Sequence, residues 1–100
     1  MSSFFVYVIY SPSRDKYYVG QTSDLDKRLE EHNSHFYSES YTSMSDDWIL
    51  TKSLPCQDRA LALKIEKHIK KNRSRKYVDD FVQYPSIGER LISKYSKNEQ

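Results

Sequence analysis

Residues 4–10, Phe-Phe-Val-Tyr-Val-Ile-Tyr, and residues 17–22, Tyr-Tyr-Val-Gly-Gln-Thr, decide the architecture. The first run is aromatic and β-branched throughout, the pattern of a strand covered on both faces and therefore central in its sheet. Between the two runs, Pro12 and Asp15 mark a turn. Two strands joined by so short a loop form an antiparallel hairpin. Working outward, Ser23 is placed to cap a helix, with Asp26 three residues on as a capping-box variant. Leu25, Leu29 and His32 carry that helix to about Asn33. Residues 34–47 are rich in Ser and Tyr without a period, a long loop of the kind that is often functional in small domains.

Beyond the loop, residues 48–54, Trp-Ile-Leu-Thr-Lys-Ser-Leu, read as a third strand stopped by Pro55. Asp58 caps a second helix whose buried stripe is Leu61, Ile65 and Ile69, spaced four apart. Ser74 starts a third helix with Tyr77, Val78, Phe81 and Val82 inward, and Pro85 ends it. The run Ser86-Ile87-Gly88-Glu89 has the form of a capping box opening a fourth helix, with Leu91, Ile92 and Tyr95 on one side. The expected fold is α+β: a three-stranded antiparallel sheet flanked by helices, in the order β-β-α-β-α-α-α. One domain is expected over residues 1–96, with a frayed polar tail at 97–100.

Of 16 Lys and Arg residues, seven lie between Lys64 and Lys76, whereas of 14 Asp and Glu only Glu66 does. A concentrated basic segment on an otherwise acidic body fits a polyanion partner. A solvated helix face explains the same residues, and on charge alone the two readings weigh equally. Cys56 is the only cysteine, so an internal disulfide and a Cys-rich zinc site are excluded. No apolar run approaches the ~18 residues of a membrane span, and no signal peptide is read. A reducing, cytoplasmic setting without membrane attachment is the expectation.

Four places stand out for chemistry: Tyr10 at the end of the first strand, Tyr18-Val19-Gly20 in the second, Arg28 and His32 four apart on one helix face, and Glu66 alone in the basic helix. Together these resemble the GIY-YIG nuclease superfamily. Val8-Ile9-Tyr10 is similar to its first signature and Tyr18-Val19-Gly20 to its second. Gly20 to Leu25, Arg28-Leu29 and His32-Asn33 resemble its conserved stretch, and residues 60–70 its glutamate-bearing helix. The resemblance spans about residues 6–76 and is nearest to the small stand-alone bacterial members. Val8 stands where the family name has Gly, and Val19 where it has Ile. The Asn that many members carry after the glutamate has no counterpart in residues 77–81.

The resemblance implies a metal-dependent endonuclease acting on DNA in repair, recombination or processing. A binding module that keeps the fold without cutting, and a protein-interaction domain, are the alternatives. On the nuclease reading Glu66 holds one Mg²⁺ or Mn²⁺ ion, which keeps most of its water. Arg28 grips phosphate oxygens. Tyr10 orients or deprotonates the attacking water, although a tyrosine with its reference pKa of about 10 is a poor base at pH 7. Tyr18 assists at the water or a phosphate. His32 either shuttles a proton or packs structurally, with equal weight. His35 and His68 are read as surface residues. Lys70, Lys71, Arg73, Arg75 and Lys76 would track the nucleic-acid backbone beside the cut. For the two tyrosines to meet one phosphate, Tyr10 must pair across the hairpin with Tyr18. Pairing with Tyr17 would send them to opposite faces. Gly20 would then leave room beside Tyr18 for the substrate backbone.

Overall fold

The computed structural model describes residues 4–34, 45–72 and 74–96. Its elements are β1 (Phe4–Ser11), β2 (Lys16–Thr22), α1 (Leu25–Asn33), β3 (Ile49–Cys56), α2 (Arg59–Asn72), α3 (Arg75–Gln83) and α4 (Pro85–Ser96). The expected order and α+β class are found. The sheet is antiparallel in the order β2-β1-β3, so the first strand, which lacks polar alternation, is the central one. The expected tail at 97–100, Arg73, His35 and residues 35–44 of the long loop lie outside the described residues.

Alternation along β1 builds two cores. Val6 and Val8, with Val19 of β2, face α2, α3 and α4, where Ala62, Ile65, Ile69, Phe81 and Leu91 close the larger core. Ile65 and Ile69 are fully covered, and each such burial stabilises the fold by about 1.5–3 kcal/mol. Tyr7 and Ile9 point the other way and pack with Trp48, Tyr18, Leu25 and Leu29 into a smaller cluster under α1.

Local chemistry explains where the boundaries moved. The cap of α1 is Asp24, not Ser23: its carboxylate accepts from the Lys27 amide at 3.1 Å. Asp58 and Ser74 cap α2 and α3 as expected, accepting from the Leu61 and Tyr77 amides. Pro55 does not stop β3. It lies inside the strand, opposite Phe5, because β3 is an edge strand and can spare one N–H. Pro85 opens α4 rather than preceding it, at the helix position where a missing N–H costs nothing. The β1–β3 register shifts between Val8 and Ile9, and the Thr51 hydroxyl donates to the Val8 carbonyl at 3.0 Å beside the irregularity.

Two polar ties hold the ends of the sheet. Asp47 accepts from the buried Ser11 hydroxyl at 2.5 Å, from the Ser13 amide at 2.9 Å and from the Ser45 hydroxyl, joining the chain that enters β3 to the β1–β2 turn. Those hydrogen bonds, Ser11's foremost, hold its carboxyl well below the usual carboxylate range. Asn33 clasps the backbone of Trp48 from both sides, donating to its carbonyl at 2.9 Å and accepting from its amide at 2.7 Å.

Candidate active site

The β1–β2 register decides which tyrosines meet. Ser11 pairs with Lys16, Ile9 with Tyr18, and Tyr10 with Tyr17. Residues directly opposite share a face, so Tyr10 and Tyr18 lie on opposite faces of the sheet. The expected Tyr10–Tyr18 pairing is therefore corrected. The turn is the physical cause: the Asp15 amide bonds the Ser11 carbonyl at 2.7 Å, and Asp15 takes a left-handed conformation with φ 54°. Asp tolerates that region, and the turn so closed fixes the pairing beyond it. Tyr10 itself donates to Asp15 Oδ1 at 2.6 Å and packs its ring 5.0 Å from that of Tyr17.

Tyr7, not Tyr10, shares a face with Tyr18. It lies opposite Gly20, is 1% exposed, and its hydroxyl meets His32 Nε2 at 2.9 Å and Arg28 Nε at 3.4 Å. Arg28 can only donate. We therefore assign the hydroxyl oxygen as acceptor from Arg28 and its proton to His32 Nε2, which leaves the imidazole proton on Nδ1. Tyr18 joins the group with its ring centroid 6.4 Å from that of Tyr7 and 5.2 Å from the His32 ring. Tyr7, Tyr18, Arg28 and His32 thus form one cluster between the sheet and α1.

Gly20 has a different use from the one expected. A Cβ there would stand 2.6 Å from the Tyr7 hydroxyl and 2.8 Å from its Cζ. The glycine makes room for the Tyr7 ring, not for a substrate beside Tyr18.

Burial shapes the electrostatics. Desolvation pushes the Tyr7 hydroxyl up to about 12, against a smaller lowering by the Arg28 hydrogen bond. Desolvation, with Arg28 adding to it, pulls His32 down to about 4. At neutral pH both are uncharged, and Arg28 is the cation of the cluster. Arg28 is one-third exposed and stands 3.7 Å from Glu31.

Glu66 enters from α2, beside the β2 edge. Its carboxylate is close enough to raise the Tyr7 pKa slightly. It is 17% exposed and pairs with Lys70 Nζ at 2.8 Å, while that same ammonium lies 5.1 Å from the Tyr18 ring centroid. Among the described residues no group of three or more His, Cys, Asp or Glu converges on one point. A single carboxylate facing open space does not make a closed protein cage. It does fit a hydrated divalent ion completed by phosphate oxygens.

The basic residues expected to form one track are divided among separate tasks. Lys70 belongs to Glu66. Arg75 pairs with Asp15 at 2.7 Å and covers the Tyr17 ring, tying α3 to the β1–β2 turn. Lys76 pairs with Asp80 at 3.3 Å. Lys71 lies on another flank of α2, toward α4. His68, read as a surface residue, is half-buried and bonds the Tyr95 hydroxyl at 2.8 Å. Sequence reasoning missed Tyr7 and the Asn33 clasp. The signal for Tyr7 was Gly20, since a glycine in a strand often marks a close approach.

No helix among the described residues is long and apolar enough to cross a membrane. Residues 3–78 match the family model described as the GIY-YIG catalytic domain. Neither a curated protein nor a solved structure matches the chain.

Proposed function

The chain belongs to the GIY-YIG nuclease superfamily, and from that premise we propose a divalent-metal-dependent endonuclease that hydrolyses DNA phosphodiester bonds at its Tyr7–His32 face. The observation that carries this reading is the buried chain Arg28–Tyr7–His32, with Glu66 within electrostatic range. A DNA repair, recombination or processing role and a cytoplasmic setting are part of the proposal. The single buried, unpaired Cys56 suits a reducing compartment.

Tyr7 replaces Tyr10 as the group that handles the attacking water. Ionising it alone at pH 7, from a pKa of about 12, costs about 7 kcal/mol. A relay avoids that. As the water oxygen bonds to phosphorus, its proton passes to the Tyr7 oxygen, and the Tyr7 proton passes to His32 Nε2. The bond from phosphorus to the leaving oxygen breaks, and that oxygen takes a proton from solvent. His32 returns its proton to solvent when product departs. Burial disfavours the imidazolium, but the negative charge of a bound phosphodiester offsets part of that penalty. Arg28 steadies both the Tyr7 oxygen and the charge growing on the phosphate. Tyr18, at the rim of the cluster, positions the phosphate. Glu66 would hold Mg²⁺ or Mn²⁺, which when bound neutralises charge on the phosphate and leaving oxygen. Lys70 must leave Glu66 for that to happen, and its ammonium is then free for a phosphate oxygen.

The test is a cleavage assay on single-stranded, duplex and branched DNAs, with and without Mg²⁺ or Mn²⁺, for the parent and Glu66→Gln. Metal-dependent cutting by the parent and none by the variant is expected. Binding without cutting under every metal condition would make the chain a nucleic-acid-binding module instead.

A further inference from the structure

The opposite flank of α2 carries a second feature that the cutting face does not use. Glu66 and Lys70 lie one turn apart on the flank beside β2. Lys71 lies away from it, and with Lys64, Lys67 and Lys94 of α4 it lines an open groove of about 570 Å³ between the two helices, while Lys64 and Lys67 also border the hollow beside Glu66 and Lys70. Among the described residues no carboxylate lines this groove. All four lysines are exposed, and none forms an ion pair among the described residues. The other lysine and arginine pairs of this segment show what the contrast means: Lys70, Arg75 and Lys76 each have a carboxylate.

The floor of the groove is built rather than incidental. His68 Nδ1 bonds the Tyr95 hydroxyl at 2.8 Å, with the two rings edge to face at 5.7 Å. That contact joins α2 to α4 and sets the separation of Lys94 from the α2 lysines. Burial first, and then Lys94 and Lys71, keep the His68 pKa below its ordinary value.

We propose that this α2–α4 groove binds the sugar-phosphate backbone of a second DNA segment while the strand to be cut lies at the Tyr7 face. Four ammonium groups without a carboxylate partner among the described residues, set around a polar floor, match a run of phosphates. Lysines act on phosphates as point charges, so the contact serves to hold the substrate rather than to fix its sequence. A helix with its side chains is about 10–12 Å across. That width is close to the ~12 Å of a DNA major groove, so a second backbone tract, such as the partner strand of a duplex, reaches the groove while the cut strand lies at the Tyr7 face. The proposal rests on the nuclease reading for its choice of DNA.

The experiment uses the full chain with Lys64, Lys67, Lys71 and Lys94 all changed to Gln, beside the parent and Glu66→Gln. Affinity for duplex DNA is measured across a salt series without divalent metal, and single-turnover cleavage is measured with metal at saturating protein. Loss of the groove should lower the slope of log affinity against log salt by about 3.6, near 0.9 for each of four phosphate contacts. The cleavage rate at saturation should stay within about twofold, since no residue of the Tyr7 cluster is touched. Glu66→Gln should keep the full slope. An unchanged slope in the four-lysine variant overturns the groove while leaving the nuclease reading standing. A parent that binds with the steep slope but never cuts overturns the nuclease reading alone. Inorganic triphosphate is the competing occupant: a variant that loses triphosphate binding but keeps the DNA slope overturns DNA as the ligand.

Discussion

Replacing Tyr7 with Phe removes one oxygen and nothing else, and the structure says what that oxygen does. It receives a hydrogen bond from Arg28 Nε and gives one to His32 Nε2, at 3.4 and 2.9 Å. The site is buried, so two polar groups lose a partner where water reaches poorly. Leaving a buried polar group short of its bond costs about 1–3 kcal/mol. In a 100-residue chain, each kcal/mol lowers the melting temperature by about 4–8 °C. The fold should survive this, because the ring still packs on Ile9 and Trp48. Cleavage should fall much further, by about 10²–10⁴, the usual loss for a group that handles the reacting proton. Tyr10→Phe is the matched control. It removes an exposed bond to Asp15 on the other face and should leave both cleavage and the melt near the parent's. Single-turnover rates at saturating protein, with Mg²⁺ and beside thermal melts, separate the two sites. Full activity in Tyr7→Phe together with a large loss in Tyr10→Phe would refute the face assignment and the relay built on it.

Gly20→Ala should act on the same hydroxyl from across the strand. Its methyl meets the Tyr7 ring under 3 Å, and that ring is held by its partners, so about 1–3 kcal/mol of stability and about 10²-fold in rate should be lost. Lys70→Gln frees the Glu66 carboxylate, so the Mn²⁺ concentration giving half-maximal cleavage should fall; a rise would show that Lys70 helps to hold the metal site. Stability should depend on His32 in acid. Its folded pKa of about 4 lies below the ordinary 6.5, so the unfolded chain binds the proton more readily. The stabilisation is full above pH 6.5 and is lost as pH falls toward 4, by up to about 3 kcal/mol. Asp47, also held low, loses its share only below the ordinary carboxylate pKa. Urea melts from pH 7.5 to 4 should thus show a fall in the parent that His32→Gln lacks over that window; parallel curves would place the acid sensitivity elsewhere.

Much of this molecule is written in local pattern. The unbroken apolar run of residues 4–10 is enough to make β1 central, because only a strand covered on both sides gains from it. Leu61, Ile65 and Ile69 at spacing four announce α2, and Asp58 and Ser74 announce where helices start. Tyr18, Arg28, His32 and Glu66 were legible through the resemblance of their motifs to the GIY-YIG family, since each of them alone also suits an ordinary sheet or helix surface. Their convergence was not visible, and neither was the identity of the fifth member. Tyr7 and Tyr10 are three residues apart, an odd number, so they must face opposite ways, and β2 offers adjacent tyrosines at 17 and 18 to either of them. Strand composition is indifferent between those pairings. The choice is made by the turn, where Asp15 closes onto Ser11, and by Gly20, whose missing side chain leaves the room that the Tyr7 ring fills. The division of the basic segment has the same origin. Charge along the chain shows how many cations there are, but only the packing of α2 against β2 on one flank and α4 on the other decides which meet a carboxylate and which are left facing an open groove.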